Sequence, residues 1–418
     1  MKIVIHRGTH EIGGSCVEVT NGNDRILVDI GTPLSDDDNK KKLPDIKGIY
    51  KNDNSPLCID GMLISHPHMD HYGFFEYLRD DIPYYVGDAA KKLIDLTVTF
   101  TPQKGHIEKY TPLENRKSFR IKSFTITPYL MDHSAFDAYA FLIEADGKRL
   151  FYSGDFRAHG RKGKLFYEFI RNGPENIDAL LLEGTMFGRS QEKVKSETEL
   201  EQEILGIAKS SDNIILVNLS SQNIDRLVSF FRVARRSGRL FVIDYYTANI
   251  LDAIKDYARI PYPNKECFKD VRVYFPTSFP KRIPEEYKPQ LMLRFGKYKI
   301  KKEEISESRH KIIMMVRPSA IRFLKGIPGI EGGTFIYSLW EGYLKDDYTK
   351  KLIDFVESKN MNCLKIHTSG HADIPTLKQM AGKLTPKTLI PIHTQFPESY
   401  KEVFKNVIIL KDGEKYEI

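Results

Sequence analysis

Short apolar runs separated by glycine and asparagine turns fill the first third of the chain, a pattern typical of β-strands. NGND at 21–24 and ADG at 145–147 predict hairpin turns between two pairs of these strands. Helical periodicity appears near 73–80 and 88–99. The predicted strands cover 2–6, 15–20, 25–30, 61–65, 123–130, 138–145 and 149–153.

The pattern changes near residue 190 to an alternation of helices and strands. Ser196 with Glu199 forms a capping box that predicts a helix start. Residues 213–219 predict a buried strand, 222–237 an amphipathic helix and 239–244 another strand. Alternating elements of this kind favour a parallel sheet built from βαβ units.

After a stretch of irregular composition, the rest of the chain again shows the pattern of strands and helices. Residues 259–302 are rich in proline and basic residues, and we expect them to be irregular. From 361 the pattern is strand, loop, helix and strand. We therefore predict a first domain over 1–190, an inserted α/β domain over 191–355, and a return to the first domain over 356–418.

Composition narrows the class of protein. Of 418 residues, 41% are hydrophobic and 28% charged, as in folded globular proteins. No apolar run is long enough to span a membrane, and the first apolar stretch is too short for a signal peptide. Four cysteines without a CxxC pair fit a reducing compartment. We expect a cytoplasmic protein with no membrane partner, and the net charge of +7 permits an anionic partner.

The densest chemical signal is SHPHMDH at 65–71, directly after a predicted buried strand. Imidazole and carboxylate groups suit zinc or manganese where sulfur ligands are missing. Such a loop can turn His66 and His68 toward one ion. Asp70 and His71 can then face a neighbouring ion.

Two ions need more ligands than one loop supplies, and the candidates each end a predicted strand. His133, Asp155, His393 and Asp29 hold such positions. Asp155 is our choice for a carboxylate that bridges two cations. Asp29 suits a hydrogen bond that fixes a histidine tautomer. Paired cations generate a hydroxide nucleophile and neutralise phosphate charge, so hydrolysis is the expected reaction class.

These residues resemble the motifs of the metallo-β-lactamase fold, and more narrowly those of the β-CASP nucleases, the group that holds ribonuclease J. The resemblance covers nearly the whole chain. Gly184-Thr185 stands where the group usually has Ser-Thr, and His393 is followed by Thr-Gln rather than Gly-Glu. The matching residues are Asp29, HPHMDH at 66–71, His133 and Asp155 for the four general motifs, and Glu183, His371 and His393 for motifs A, B and C.

The resemblance implies an α/β fold, an αββα sandwich with an inserted β-CASP domain. It implies a general acid, His371, oriented by Glu183, with Asp70 also among the catalytic residues. Ser369 matches a phosphate-contacting position, as do Ser221 and Asn223. The implied cofactors are two Zn²⁺, with Mn²⁺ as the alternative. The implied ligands are His66, His68 and His133 for one ion, Asp70, His71 and His393 for the other, and Asp155 between them.

The implied function is hydrolysis of single-stranded RNA as a 5′ exonuclease, an endonuclease or both. Arg226 and its neighbours on helix 222–237 are candidate contacts to the polymer, and a basic, aromatic stretch follows near 279–302. Four alternatives stay open: a DNA nuclease of the same group, a small-molecule metallo-hydrolase, a non-catalytic nucleic-acid-binding module, and, for assembly, a homodimer.

Overall fold

The structure is a computed structural model that describes residues 1–34, 42–189, 194–264, 266–275, 283 and 288–418. Before residue 190 it contains three α-helices, α1 (Met69–Tyr72), α2 (Asp88–Phe100) and α3 (Gly163–Asn172), within the described residues. The strands of the same part are β1 (Lys2–Arg7), β2 (Cys16–Asn21), β3 (Asp24–Val28), β4 (Gly61–Ile64), β5 (Tyr84–Val86), β6 (Tyr110–Pro112), β7 (Phe119–Ile121), β8 (Phe124–Met131), β9 (Ala138–Ala145), β10 (Lys148–Tyr152) and β11 (Ala179–Glu183).

Helices and strands alternate in the rest of the chain. The elements up to residue 369 are α4 (Glu197–Ser210), β12 (Ile215–Asn218), α5 (Ile224–Arg236), β13 (Leu240–Asp244), α6 (Tyr245–Ala253), β14 (Val271–Tyr274), α7 (Lys288–Gly296), α8 (Lys302–Glu307), β15 (Ile312–Met315), α9 (Ile321–Leu324), β16 (Thr334–Tyr337), α10 (Asp347–Ser358) and β17 (Asn362–Lys365). The final elements are α11 (Ile374–Leu384), β18 (Thr388–Ile392) and β19 (Lys415–Glu417). Short 3₁₀ helices lie at Gly73–Tyr77, Arg309–Lys311, Pro318–Ala320, Glu341–Lys345 and Pro397–Glu402.

The chain forms two compact units. Unit 1 contains Met1–Val98, Pro102–Lys193 and Gly370–Ile418, and unit 2 contains Thr99–Thr101 and Val194–Ser369. Unit 2 is thus an insertion in the sequence of unit 1. The domain boundaries given above, at residues 190 and 355, remain predictions.

Unit 1 has two sheets whose described strands run in the orders β19-β1-β2-β3-β4-β5-β6 and β18-β11-β10-β9-β8-β7. Side chains alternate between the faces of each strand because the strand period is two. In β3, Ile26 and Val28 join one apolar cluster while Leu27 joins another. In β11, Leu181 faces the first cluster, whereas Leu180 and Leu182 face a third.

The three clusters of unit 1 are the layers of a sandwich. The middle cluster combines residues of both sheets, such as Ile3 and Phe141. Each outer cluster joins a sheet to helices: Ile94 of α2 on one side, Phe166 of α3 and Leu377 of α11 on the other. The predicted α/β class with an αββα arrangement is confirmed.

Unit 2 contains a parallel sheet in the order β14-β13-β15-β12-β16-β17. The predicted capping box is confirmed, because Ser196 accepts a hydrogen bond from the Glu199 amide and Glu199 accepts one from Ser196. The irregular stretch predicted over 259–302 is wrong in part, since β14 and α7 lie within it. Among the described residues, the search for a helix with the length and apolarity to span a bilayer found none.

Candidate metal centre

The predicted metal ligands lie at or just after the carboxyl ends of strands in unit 1. The loop after β4 carries His66 and His68, and α1 then presents Asp70 and His71. The others follow this pattern: Asp29 follows β3, His133 follows β8, Asp155 follows β10, Glu183 ends β11 and His393 follows β18. Residues separated by more than 300 positions thus reach one place.

Backbone conformation at three of these positions is unusual. Asp29 and His393 have φ values of 61° and 54°, in the left-handed region that non-glycine residues rarely adopt. Gly154, before Asp155, has φ 53°, and a Cβ there would lie 2.7 Å from the Tyr139 carbonyl oxygen. Backbone bonds hold the two strained residues, because the Asp29 amide donates to Leu63 (2.8 Å) and the His393 amide donates to Gly8 (2.7 Å). Strain retained in this way often marks a functional site.

Asp155 lies at the centre of the cluster. Its Oδ2 is 3.2 Å from His71 Nε2 and 3.8 Å from the Nε2 atoms of both His66 and His393. His371 Nδ1 is 3.7 Å from the same oxygen. Three groups among the described residues have ligand atoms within 4.8 Å of one another: His66, His68 and His133; Asp70, His71, Asp155 and His393; and Asp155, Glu183, His371 and His393.

The buried polar atoms of this cluster fit a metal. His66 Nε2, His71 Nε2 and both carboxylate oxygens of Asp155 are buried and make no hydrogen bond within the described residues. Such atoms are costly unless something satisfies them. Nitrogen and oxygen donors at this spacing are what zinc and manganese accept. We therefore identify the cluster as a metal site.

Hydrogen bonds to the opposite ring nitrogen orient four of the histidines. His71 Nδ1 lies 2.8 Å from Asp29 Oδ2, and His133 Nδ1 lies 2.7 Å from the Gly370 carbonyl. Since both partners can only accept, each ring carries its proton on Nδ1 and leaves Nε2 for a ligand. The remaining two contacts join His66 Nδ1 to Ser65 Oγ at 3.0 Å and His393 Nδ1 to Thr185 Oγ1 at 2.8 Å.

His68 differs from this pattern, and Asp29 holds one of the oriented histidines in place. His68 turns Nδ1 inward, 3.2 Å from His133 Nε2. Asp29 accepts hydrogen bonds from the Ser65 amide, the Ser65 hydroxyl and the Tyr152 hydroxyl, each at 2.7 Å. The structure thus places Asp29 behind His71, as the sequence predicted.

Burial and neighbouring charges shift the pKa values of the cluster in two directions. Burial lowers the pKa of His68 to about 4, and burial with neighbouring imidazoles lowers the pKa values of His66 and His133. Burial opposes ionisation of Asp70, but its contact with His393 lowers the Asp70 pKa to about 2. For His71, Asp155 and Asp29 outweigh burial and raise the pKa. Asp155 and Asp70 likewise outweigh burial and raise the pKa of His393. Since neutral imidazoles and ionised acids are the forms that bind metals, His66, His68, His133 and Asp70 favour binding, whereas His71 and His393 would have to lose a proton when a metal binds.

His371 is partly exposed, with 19% of its side chain accessible, while Glu183 is buried. His371 Nδ1 lies 3.6 Å from Glu183 Oε2. Glu183 is held by two amides, because Oε2 accepts from Thr185 (3.0 Å) and Oε1 accepts from Ala372 (3.1 Å). The pair is therefore close, with the imidazole at the edge of the site.

The residues predicted to contact nucleic acid lie in unit 2. Arg226 is fully buried and pairs with Glu197 at 3.0 Å, which is the arrangement of a structural ion pair, and its contact with the polymer stays a prediction. Asn223 caps α5, and Ser221 contacts Thr247 at 2.6 Å. Ser369 is half-buried in the loop after β17. Phe279, Lys281, Arg282 and Tyr287 of the basic stretch lie outside the described residues.

Sequence reasoning missed Thr185 and Gly370, which contact the metal-facing histidines from behind. Thr185 follows Glu183 by two positions, and this adjacency to a predicted site residue was the only signal. Gly370 contributes a carbonyl group, which every residue type has. No side-chain pattern could therefore have indicated it.

Comparison with known proteins gives a consistent picture. A family model described as "Beta-lactamase superfamily domain" matches residues 43–207, and one described as "Zn-dependent metallo-hydrolase RNA specificity domain" matches 359–409. Ribonuclease J of Mycoplasma genitalium is 23% identical over 94% of this chain and 68% of its own length. Ribonuclease J of Helicobacter pylori is 23% identical over 100% of this chain and 60% of its own length. The chain thus spans roughly two thirds of these relatives.

A crystal structure of a protein of unknown function from Enterococcus faecalis V583 is similar in fold, with a TM-score of 0.77, 20% identity and 99% coverage of both chains. The sandwich and the histidine–aspartate cluster define a metal-dependent hydrolase. These matches support the ribonuclease J-like β-CASP group of the metallo-β-lactamase superfamily, a group of hydrolytic nucleases, as the family of this chain.

Proposed function

We propose that this chain is a ribonuclease that hydrolyses phosphodiester bonds of single-stranded RNA at a centre of two divalent cations, zinc in the first place. The position of Asp155 carries this proposal. One carboxylate oxygen within 3.2–3.8 Å of four imidazole nitrogens suits a bridge between two cations. His66, His68 and His133 would hold one ion, and Asp70, His71 and His393 the other.

Cations bound there would supply an activated water and neutralise the charge that develops on phosphate. The residues of the chain perform the other tasks. His371 donates a proton to the leaving oxygen, since its imidazole is partly exposed beside the cluster. Glu183 positions His371, and the two amide bonds to Glu183 hold its carboxylate in place.

The charge distribution supports an anionic polymer as substrate. Unit 2 contains 30 Lys and Arg against 22 Asp and Glu, a net +8, whereas unit 1 contains 33 against 34, a net −1. Residues 255–325 alone contain 18 basic and 8 acidic residues, a net +10. Concentrated positive charge of this kind attracts phosphate backbones.

Aromatic side chains accompany these charges, which favours unpaired bases. Lys255 Nζ lies 5.6 Å from the centre of the Tyr262 ring, and Lys297 Nζ lies 5.5 Å from that of Tyr298. A cavity of about 400 Å³ is lined by Lys255, Tyr262, Tyr257 and Arg259. Proteins that bind single-stranded nucleic acid usually combine basic side chains, which contact the phosphates, with aromatic side chains, which stack on the bases.

The test uses zinc-loaded protein with 5′-labelled and 3′-labelled RNA that carries a 5′-monophosphate, a 5′-triphosphate or a 5′-hydroxyl group. A matched DNA strand and nitrocefin serve as competing substrates. We expect RNA cleavage that a chelator abolishes. Mononucleotide products would indicate an exonuclease, and internal fragments an endonuclease. Preferred cleavage of DNA, or of nitrocefin, would overturn the proposal.

A further inference from the structure

The four oriented histidines differ in what fixes them, and His393 depends on a hydroxyl. Thr185 is 2% exposed, and its Oγ1 lies 2.8 Å from His393 Nδ1. The ring's other nitrogen, Nε2, lies 3.2 Å from Asp70 Oδ2. We propose that Thr185 is the positioning residue of His393, which fixes the tautomer and direction that the ring needs to bind a metal; this rests on the proposed ligand role of His393.

A hydroxyl can donate or accept, so its other contacts decide which tautomer it selects. Thr185 Oγ1 also donates to the His393 carbonyl oxygen, at 3.4 Å. With its single proton directed there, the hydroxyl has lone pairs left to accept the Nδ1–H of the ring. With the proton on Nδ1, the Nε2 atom of His393 can bind a metal beside Asp70, instead of donating its own proton to Asp70 Oδ2 at 3.2 Å.

Ser65 contacts His66 in the same way, but its hydroxyl proton is held by a carboxylate. Its hydroxyl donates to Asp29 Oδ2 at 2.7 Å and is 3.0 Å from His66 Nδ1. A charged acceptor holds a hydroxyl proton more strongly than a carbonyl at 3.4 Å does. Thr185 therefore depends more on the geometry of its own backbone to keep the hydroxyl in place.

The turn that carries Thr185 is braced by Tyr400. A Cβ at Gly184 would lie 1.9 Å from the Tyr400 hydroxyl oxygen, so only glycine fits beside that ring. The hydroxyl donates to the Leu182 carbonyl at 3.0 Å, and the ring stacks on Phe187 with centroids 4.3 Å apart. This explains Gly-Thr in place of the usual Ser-Thr: Tyr400 occupies the space of the missing side chain. The brace keeps Thr185 in reach of His393.

The test compares Thr185→Val, which keeps the shape and removes the hydroxyl, with Thr185→Ser, which keeps the hydroxyl. Zinc affinity is measured by competition with a chromophoric chelator, without RNA, and zinc content by mass spectrometry after dialysis. Loss of a residue that orients a ligand typically weakens metal binding about 10- to 100-fold. We expect a loss of about tenfold or more in the zinc affinity of Thr185→Val, and affinity near the parent value in Thr185→Ser.

Thr127→Val is the matched control, since it removes a buried threonine hydroxyl of unit 1 that contacts Ser118 and, among the described residues, no histidine. We expect a lower melting temperature and zinc affinity close to the parent value. Parent-like zinc affinity in Thr185→Val would overturn the inference. An equal loss in Thr185→Ser would also overturn it, because packing of the methyl group would then be the cause. Zinc affinity is independent of RNA cleavage, so failure of the proposed function would be seen separately.

Discussion

Units 1 and 2 use buried polar groups in opposite ways. In unit 1 the Nε2 atoms of His66 and His71 and both oxygens of Asp155 are buried without a hydrogen bond within the described residues, close to the other ligand atoms of the cluster. In unit 2 two buried arginines are engaged instead: Arg226 pairs with Glu197, and Arg239 donates to the carbonyls of Ala208 and Asn213. Unit 1 is nearly neutral overall, whereas unit 2 carries the net positive charge of the chain. The metal site of unit 1 thus depends on the positions of a few side chains, whereas the attraction of unit 2 for an anionic polymer depends on the sum of many charges.

The sharpest test of this contrast removes the central carboxylate. We expect Asp155→Ala to lower RNA cleavage at least about 1000-fold, or about 4 kcal/mol, because the imidazoles around it lose their shared partner. Metal content, cleavage rate and melting temperature are measured together. Asp146→Asn, an exposed hairpin residue with φ 49°, is the control and should behave like the parent. Normal turnover by Asp155→Ala would refute the assignment.

A second test examines whether the buried charge of unit 2 is structural. Arg226→Met leaves Glu197 buried without its partner, so we expect a loss of about 3 kcal/mol in the free energy of unfolding. Arg235→Met, at an exposed position of α5, should leave stability nearly unchanged. Urea denaturation gives both values. Unchanged stability with weakened RNA binding would mean that Arg226 contacts the polymer after all.

His371 lies at the border between metal binding and proton transfer. We expect His371→Gln to lower kcat about 100-fold while metal content stays at the parent value, because the proposed general acid would contribute roughly that much. Single-turnover kinetics and metal analysis measure the two quantities on the same sample. Loss of one ion would show that His371 is a ligand, which its 3.7 Å distance from Asp155 also permits.

The smallest expected effect concerns single surface charges of unit 2. Arg259→Gln and Lys297→Gln should each weaken RNA binding about threefold and reduce the slope of log affinity against log salt by about 0.7, the value for one phosphate contact on a single strand. Lys164→Gln, exposed on α3 of unit 1, is the control. Fluorescence anisotropy at several salt concentrations measures both. Equal losses in all three variants would remove the contrast between the units.

The candidate metal ligands could be predicted from the sequence because each stands in a recognisable local pattern. HPHMDH at 66–71 is dense enough to stand out, and Asp29, His133, Asp155 and His393 each follow a readable strand. The capping box and the alternation after residue 190 predicted the second unit's elements for the same reason. Periodicity and short motifs were sufficient where neighbours in sequence determine the structure.

Contacts between distant segments could not be predicted in this way. The sequence predicted that Arg226 contacts the polymer. In the structure its guanidinium is buried and bonded to Glu197, 29 positions away. Thr185 meets His393 across 208 positions. The bond from His133 to the Gly370 carbonyl involves no recognisable side chain. Such features depend on packing, which hydrophobic periodicity does not encode.

The order of the cluster residues along the chain has a consequence for synthesis on the ribosome. His393 enters the cluster through β18, which pairs with β11 only after unit 2 has been translated. A nascent chain that ends before this strand lacks Asp70's imidazole partner and one side of the cluster. The cluster therefore cannot be complete in a nascent chain until β18 has been translated.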